Sequence, residues 1–569
     1  MAERPELVIR GGTVIDGTGA DAVEADIAVR QGLIAEVGQI AEAGVEEIDA
    51  KGKLVTPGFV DVHTHYDAQA TWAERIEPSS NNGVTTALMG NCGVGFAPVR
   101  PDDHDRLISL MEGVEDIPEV VMREGLPWKW ASFPDYLDFL ASRRFDIDLA
   151  AQVPHAALRV FVMGERGADR EEASAEDRAT MARLAAEGIA AGAFGFSTSR
   201  LLQHRTAEGE PIPSYGAAEA ELQEIAAAVG EIGRGWLQVV GDYGDAIDQE
   251  FGILERLVEQ SGRPLTFTLL QTRRFPDQWR DLLERTAAAN ARGLPIYGQI
   301  RGRPTSTLLG FELSENPFLG CPSWASVADL PFEERFVALR DPSFRARILT
   351  EPGGTRGQIK RLRDWEWLFP MEDPPDYEPS PEASIGARAR RQGIAPEALA
   401  YDCLMERNGR GVLYHPMTNY GDGDMAAVHE MLGHPNTLIG LGDGGAHVGI
   451  MCDATDMIHG LTHWVRDRQR GPKRPLEDMV RRLTSANADA MELKDRGRIA
   501  PGLRADINVI DYDRLQLQTP EIRYDLPAGG KRLIQRSEGF VATLVAGEAI
   551  WREGEATGAL PGRLVRSGD

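Results

Sequence analysis

The segment PGFVDVHTHYD, residues 57–67, places two histidines two residues apart directly after a short apolar run. Residues i and i+2 of a strand point to the same side. His63 and His65 therefore present two imidazoles together, and neutral imidazole is the commonest metal ligand. Two satisfied structural histidines would give the same pair; the Pro-Gly-apolar lead and the nearby Asp67 favour a metal. A second segment, LIGLGDGGAHVG at 438–449, ends an apolar run on Asp443 and follows it with two glycines. A carboxylate there can bind a metal and take a proton from an activated water. The competing role is a helix N-cap. His447, four residues on, is a candidate substrate contact or a structural residue.

Three further segments carry polar groups to the ends of apolar runs. In MGNCGVGFAP, residues 89–98, Cys92 lies in a glycine-rich turn, where a thiolate could ligate zinc. A buried, inert cysteine is the alternative. In GAFGFSTSR, residues 192–200, Ser197, Ser199 and Arg200 are substrate contacts or helix-capping groups. In QIRGRP, residues 299–304, Arg301 and Arg303 could clamp a substrate carboxylate, because a guanidinium binds one bidentately. Solvated surface arginines are the alternative.

Such groups need a scaffold that brings strand ends together. Between residues 57 and 490, short apolar runs alternate with helical stretches, which implies βα units and a parallel sheet. Strands are expected near 59–63, 84–89, 149–154, 192–197, 236–241, 265–270, 295–300 and 438–442, with helices such as 174–191 and 216–233 between them. Eight such units make an α/β protein of the (β/α)8 TIM-barrel type, whose sites lie at the C-terminal ends of the strands. Residues 301–437 are too many for one helix and read as a large insertion after the seventh strand, a lid or substrate-binding element. Residues 1–56 and 491–569 are β-rich, and together they predict one small β domain built from both termini.

Composition excludes several function classes. The chain has 569 residues and a formal net charge of −27. Neither a nucleic-acid backbone nor an anionic membrane surface suits so acidic a protein. The four cysteines, Cys92, Cys321, Cys403 and Cys452, form no CxxC pair and no disulfide framework. The N-terminal MAERPELVIRGG lacks the apolar core of a signal peptide, and no apolar run approaches the ~20 residues of a membrane span. A cytoplasmic protein acting on a small molecule is expected, with surface on the insertion and the β domain for a homo-oligomer.

Taken together, LVIRGGTVIDGTG, PGFVDVHTHYD, NCG, GFSTS, the Asp443 segment and GRIAPGLRADINVIDYD resemble the D-aminoacylase branch of the metal-dependent amidohydrolase superfamily, the N-acyl-D-amino-acid deacylases. The resemblance spans nearly the whole chain. It implies a barrel with a small β domain, a zinc-type site and hydrolysis of an amide. It also implies that His63, His65 and Cys92 are metal ligands and that Asp443 is a ligand and the catalytic acid/base. The chain departs from the family at strands five and six, where the family has a histidine each. Here those strands end WLQVVGDYGD and TFTLLQTRR. Gln271 stands where the strand-six histidine would be, and Arg273 where the family has a lysine near the substrate. Three outcomes follow. One ion, zinc first and manganese, iron or cobalt next, sits between His63, His65 and Asp443 with Cys92 adjacent. Alternatively Asp242 rebuilds an oxygen-richer set, or the site is dead and the barrel only binds a ligand. The substrate is expected to be an N-acyl-D-amino acid, with a cyclic, peptide-like or xenobiotic amide as the alternative.

Overall fold

A computed structural model describes residues 4–353 and 360–568. Both ends of the chain contribute to one nine-stranded sheet. Leu7–Val14, Val23–Arg30, Leu33–Gly38, Glu46–Asp49 and Leu54–Pro57 come from the first end; Ile507–Ile510, Phe540–Val545, Glu548–Arg552 and Glu555–Ala556 come from the second. The seam is the antiparallel pairing of Val55 with Val509. Ile9, Val14, Ile27, Val55, Ile507 and Leu544 pack together there. Alternation of apolar and polar residues puts these side chains on one buried face.

The middle of the chain forms parallel strands: β1 (Phe59–Asp61), β2 (Val84–Met89), β3 (Asp148–Ala151, resuming at Val153–Pro154), β4 (Gly195–Ser199), β5 (Trp236–Val240), β6 (Leu265–Thr268), β7 (Ile296–Ile300) and β8 (Thr437–Ile439). β1 to β3 pair in order, and the second half of β3 pairs onward through β4, β5, β6 and β7 to β8. Gln152 bridges the two halves of β3 by donating its N–H to Met89. β2, β3, β4 and β5 are buried at every residue, as parallel strands covered on both faces require. The helix Ala175–Ala190 starts at Ser174, whose hydroxyl and the Asp177 carboxylate form a reciprocal capping box. The helix Glu219–Ile232 follows β4.

The two ends of the strand series meet beyond their last strand residues. The Asp443 N–H donates to the His63 carbonyl at 3.0 Å and the His65 N–H to the Gly444 carbonyl at 2.8 Å. Glycine is required at 444, because a Cβ there would lie 2.5 Å from the Tyr66 hydroxyl and 2.7 Å from Ser79 Oγ. Gly444 thus makes room for the Tyr66 and Ser79 side chains, and Gly445 for the His65 backbone, 2.8 Å from where its Cβ would lie.

Within 301–437, Ser306–Leu309, Phe369–Pro370 and Leu413–Pro416 form a three-stranded sheet over its own apolar cluster, which includes Phe311, Phe318, Trp324 and Tyr401. Leu308 donates its N–H to Ile450 at 2.7 Å. From the other side, the hairpin of Glu521–Leu526 and Gly530–Ile534 reaches the same segment through the Leu533 N–H, which donates to Val448 at 2.7 Å. The segment after Asp443 is therefore held between insertion and C-terminal hairpin. Among the described residues no helix is long and apolar enough to cross a membrane.

Candidate metal centre

His63 and His65 leave the end of β1 and are buried. His63 Nδ1 lies 2.7 Å from Gln299 Oε1 of β7. The Gln299 amide nitrogen donates to Thr266 Oγ1 at 3.1 Å, which fixes the carbonyl oxygen toward the histidine. His63 Nδ1 then carries the proton, and Nε2 presents its lone pair inward. That lone pair lies 3.3 Å from Cys92 Sγ and 3.6 Å from Asp443 Oδ1. His65 Nε2 lies 3.9 Å from Cys92 Sγ and 3.7 Å from Asp443 Oδ1. The His63, His65 and Cys92 donor atoms all fall within 4.8 Å of one another. Zinc bonds of ~2.0–2.3 Å in a tetrahedron separate adjacent donors by roughly 3.3–3.8 Å. The two imidazole nitrogens and the sulfur form one group of donors that could share a divalent ion, and Asp443 Oδ1 lies beside both imidazoles.

Cys92 is aimed by its turn. Its φ is +57°, in the left-handed region that a residue with a Cβ rarely occupies. Several bonds hold it there. The Cys92 N–H donates to Gln238 Oε1 at 3.0 Å, the Gly93 N–H to Ser197 Oγ at 3.1 Å, and the Gly90 N–H to Asp67 Oδ2 at 3.0 Å. Ser197 Oγ donates in turn to the Gly90 carbonyl. Ser197 and Asp67 thus shape the thiol-bearing turn.

Asp443 is turned the same way, with a φ of +45°. Its Oδ1 faces the two imidazoles and its Oδ2 accepts from Arg301. Arg301 also donates to Asp453 and to the Leu441 carbonyl. Arg303 holds Asp453 at 3.0 Å and Asp456 at 2.7 Å and lies over the Tyr377 ring. Both guanidinia are 1% exposed. They are committed to buried carboxylates, so the expected carboxylate clamp is corrected to a buried ion network behind Asp443. Sequence reading could not foresee this, because the partners lie about 150 positions downstream. Burial opposes the Asp443 charge; Arg301 and then the imidazoles outweigh it and hold this carboxyl far below the usual range. Burial pushes His63 down to about 4 and the Cys92 thiol up to about 11. An uncharged His63 is the form a metal needs.

The other anticipated residues are placed differently. Arg200 pairs bidentately with Glu250 at 2.7 and 3.0 Å. Arg273 pairs with Asp364 at 2.8 Å and stacks over Trp367 at 4.1 Å. Gln271 accepts from the Gly421 N–H at 2.9 Å and donates to Asp422 at 3.0 Å, stapling the end of β6 to the segment before β8. It does not join the metal donors, and Asp242 is exposed. Ser199 Oγ is 2.8 Å from His204 Nδ1. His447 is half-buried, with Nε2 3.7 Å from Glu115 Oε2.

Three site residues went unread in the sequence. Gln299 could have been suspected as a glutamine inside the apolar run IYGQI. Glu115 ends a helix, with Oε1 3.2 Å from His65 Nδ1. His204, on the segment after β4, has Nδ1 2.8 Å from Ser199 Oγ, and burial and then His447 push its imidazole down to about 3. No local motif marks the last two.

Residues 46–550 match the amidohydrolase family, and the chain belongs to it. It is a hydrolase of carbon–nitrogen bonds other than peptide bonds. The D-aminoacylase of Alcaligenes xylosoxydans xylosoxydans is 25% identical over 98% of this chain and 97% of its own. Among solved structures, a D-aminoacylase studied for one-metal activation and second-metal attenuation of its binuclear centre is 24% identical. It covers 99% of this chain and 100% of its own, with a TM-score of 0.66. The N-acyl-D-glutamate deacylase of Bordetella bronchiseptica, complexed with zinc and a phosphonate inhibitor, is 23% identical over 99% and 100%, with a TM-score of 0.65.

Proposed function

We propose that this chain holds one divalent ion, zinc by donor type, between His63, His65, Cys92 and Asp443, and hydrolyses the amide bond of an N-acyl-D-amino acid. The observation that carries the reading is the cluster of two imidazole nitrogens and a sulfur, with Asp443 Oδ1 3.6 and 3.7 Å from the two imidazoles and the far side of His63 fixed by Gln299. Soft thiolate with imidazole favours zinc over manganese, iron or cobalt. Glutamines on and after the strands that carry the family's other histidines support a single ion. The relatives' acylated D-amino-acid substrates support the amide.

The scaffold proposed is a closed (β/α)8 barrel over 57–490 with the insertion at 301–437, and a small β domain from 1–56 and 491–569. The pairing of β1 through the first half of β3, its resumption from the second half of β3 to β8, and the bonds joining His63 and His65 to Asp443 and Gly444 support it. Four unpaired, buried cysteines support a reducing compartment.

When bound, the ion supplies Lewis acidity to the scissile carbonyl and makes a water nucleophilic at neutral pH. The chain's own residues do the rest. His63, held by Gln299, keeps Nε2 unprotonated. Arg301 pins Asp443 Oδ2 and leaves Oδ1 facing the reaction, where it takes the proton of the attacking water and returns it to the departing nitrogen. Arg301 holds Asp443 in its charged form, the form that can serve as ligand and as proton acceptor.

One observation favours a second reading, an amide without a carboxylate. Arg200, Arg273, Arg301 and Arg303 are each paired with an acidic side chain, so none of these four stands free to clamp a substrate carboxylate. A panel of N-acyl-D-amino acids beside cyclic, peptide-like and neutral amides separates the two. Asp443→Asn lowers hydrolysis of the best substrate by about 10²–10⁴-fold, the range of positioned acid–base catalysis. Near-normal turnover by a folded Asp443→Asn variant would sink the assignment.

A further inference from the structure

Glu115 closes the helix His104–Glu115 and is 1% exposed. Neither of its carboxylate oxygens has a hydrogen-bond partner, and His65 Nδ1 is equally without one. A buried carboxylate in that condition is costly unless it meets a donor. Two donors face it. His65 Nδ1 lies 3.2 Å from Oε1, and His447 Nε2 lies 3.7 Å from Oε2. Among the described residues no arginine or lysine pairs with it.

The opposite end of the same imidazole faces the metal donors, with Nε2 3.9 Å from Cys92 Sγ and 3.7 Å from Asp443 Oδ1. The backbone fixes Glu115 in this place from two directions. Asp116, at a φ of +52°, ends the helix by donating its N–H to Glu112. The Glu115 carbonyl accepts the His447 N–H, which ties the helix end to the segment after Asp443.

We propose that Glu115 is a positioning residue for the metal centre: its carboxylate accepts the Nδ1 proton of His65 and turns Nε2, as a lone-pair donor, toward the ion. The inference rests on the metal reading above. It makes the two imidazoles unequal. His63 is oriented by a neutral amide oxygen and His65 by a carboxylate, which makes His65 the stronger donor. A carboxylate behind a ligating histidine fixes its tautomer and raises its basicity.

The test compares wild type with Glu115→Gln, which keeps the size and removes the charge, using Zn2+ and Co2+ alone as probes. Affinity for both ions is expected to fall about 10–100-fold, and the visible spectrum of the cobalt-loaded protein to change. The metal-free melting temperature reports the fold separately from the ion, and a fall is expected because the buried His65–Glu115 pair loses one charge. Affinity within about twofold of wild type, with an unchanged cobalt spectrum, overturns the inference, since a supporting carboxylate is worth more than that. So does an affinity loss with an unchanged cobalt spectrum, which marks a general loosening of the fold and not a changed His65 donor. Should Glu115→Gln fail to fold, Glu115→Asp is read by the same criteria. A wild-type chain that takes up neither ion overturns the proposed function and this inference with it; wild-type binding with an unchanged variant overturns this inference alone.

Discussion

Replacing Arg301 with glutamine strips Asp443 of the arginine that pairs with it while leaving its two downstream neighbours partnered. Arg301 touches Asp443 and Asp453 and stands 3.6 Å from Asp456, whereas Arg303 independently holds Asp453 and Asp456. Breaking a buried ion pair from one side costs about 3–5 kcal/mol, because the remaining charge is left uncompensated. One carboxylate of three loses its cation here, so about 3 kcal/mol is expected from Arg301→Gln. In an Asp443→Asn background no charge is stranded, and the same substitution should cost about 1 kcal/mol, which leaves a coupling of about 2 kcal/mol. The assay is a double-mutant cycle on chelator-treated protein, read from urea unfolding followed by circular dichroism and tryptophan fluorescence. A coupling below about 0.5 kcal/mol, the scatter of independent sites, would refute the claim that Arg301 neutralises Asp443.

Two further outcomes follow from named contacts. Gln299→Leu removes the acceptor for His63 Nδ1 and frees the ring; zinc affinity by competition titration should fall about 10–100-fold, and an unchanged value would show that Gln299 does not fix the tautomer. Glu378 is buried, which disfavours its charge, but His463, Arg468 and the Met425 N–H outweigh this and hold its carboxyl at about 2. A depressed folded value means stability that is complete above the unfolded value near ~4.3 and is lost as pH falls toward about 2. Glu378→Gln should therefore destabilise the protein near neutral pH by up to about 3 kcal/mol and flatten its acid unfolding curve below about pH 4.5, where wild type and variant should converge. Parallel curves at all pH values would contradict the linkage.

What could be read from the sequence was local. His63 and His65 are legible because a strand repeats every two residues and an apolar run points them out of the sheet. The helix Ala175–Ala190 is legible from Ser174 and Asp177, three residues apart before an apolar stretch. Cys92 could be singled out by its glycines, but its left-handed backbone depends on Gln238 and Ser197 from other strands. Arg301 and Arg303 were visible at the end of β7, yet their roles depend on Asp443, Asp453 and Asp456, far along the chain. Glu115 carries no motif; only the packing of a helix end against the residues after β1 brings it in. The missing histidines of strands five and six were readable as absences, but that Gln271 spends both ends of its amide on Gly421 and Asp422 was not.

The central claim is a single ion held by His63, His65, Cys92 and Asp443. It is tested most directly by elemental analysis of the purified chain beside Asp443→Asn and Cys92→Ala. The account predicts close to one equivalent of metal per wild-type chain, zinc in excess over other ions, and a clear loss in both variants. Less than ~0.2 equivalents in the wild type after supplying zinc, manganese or cobalt, or full occupancy in both variants, would contradict it.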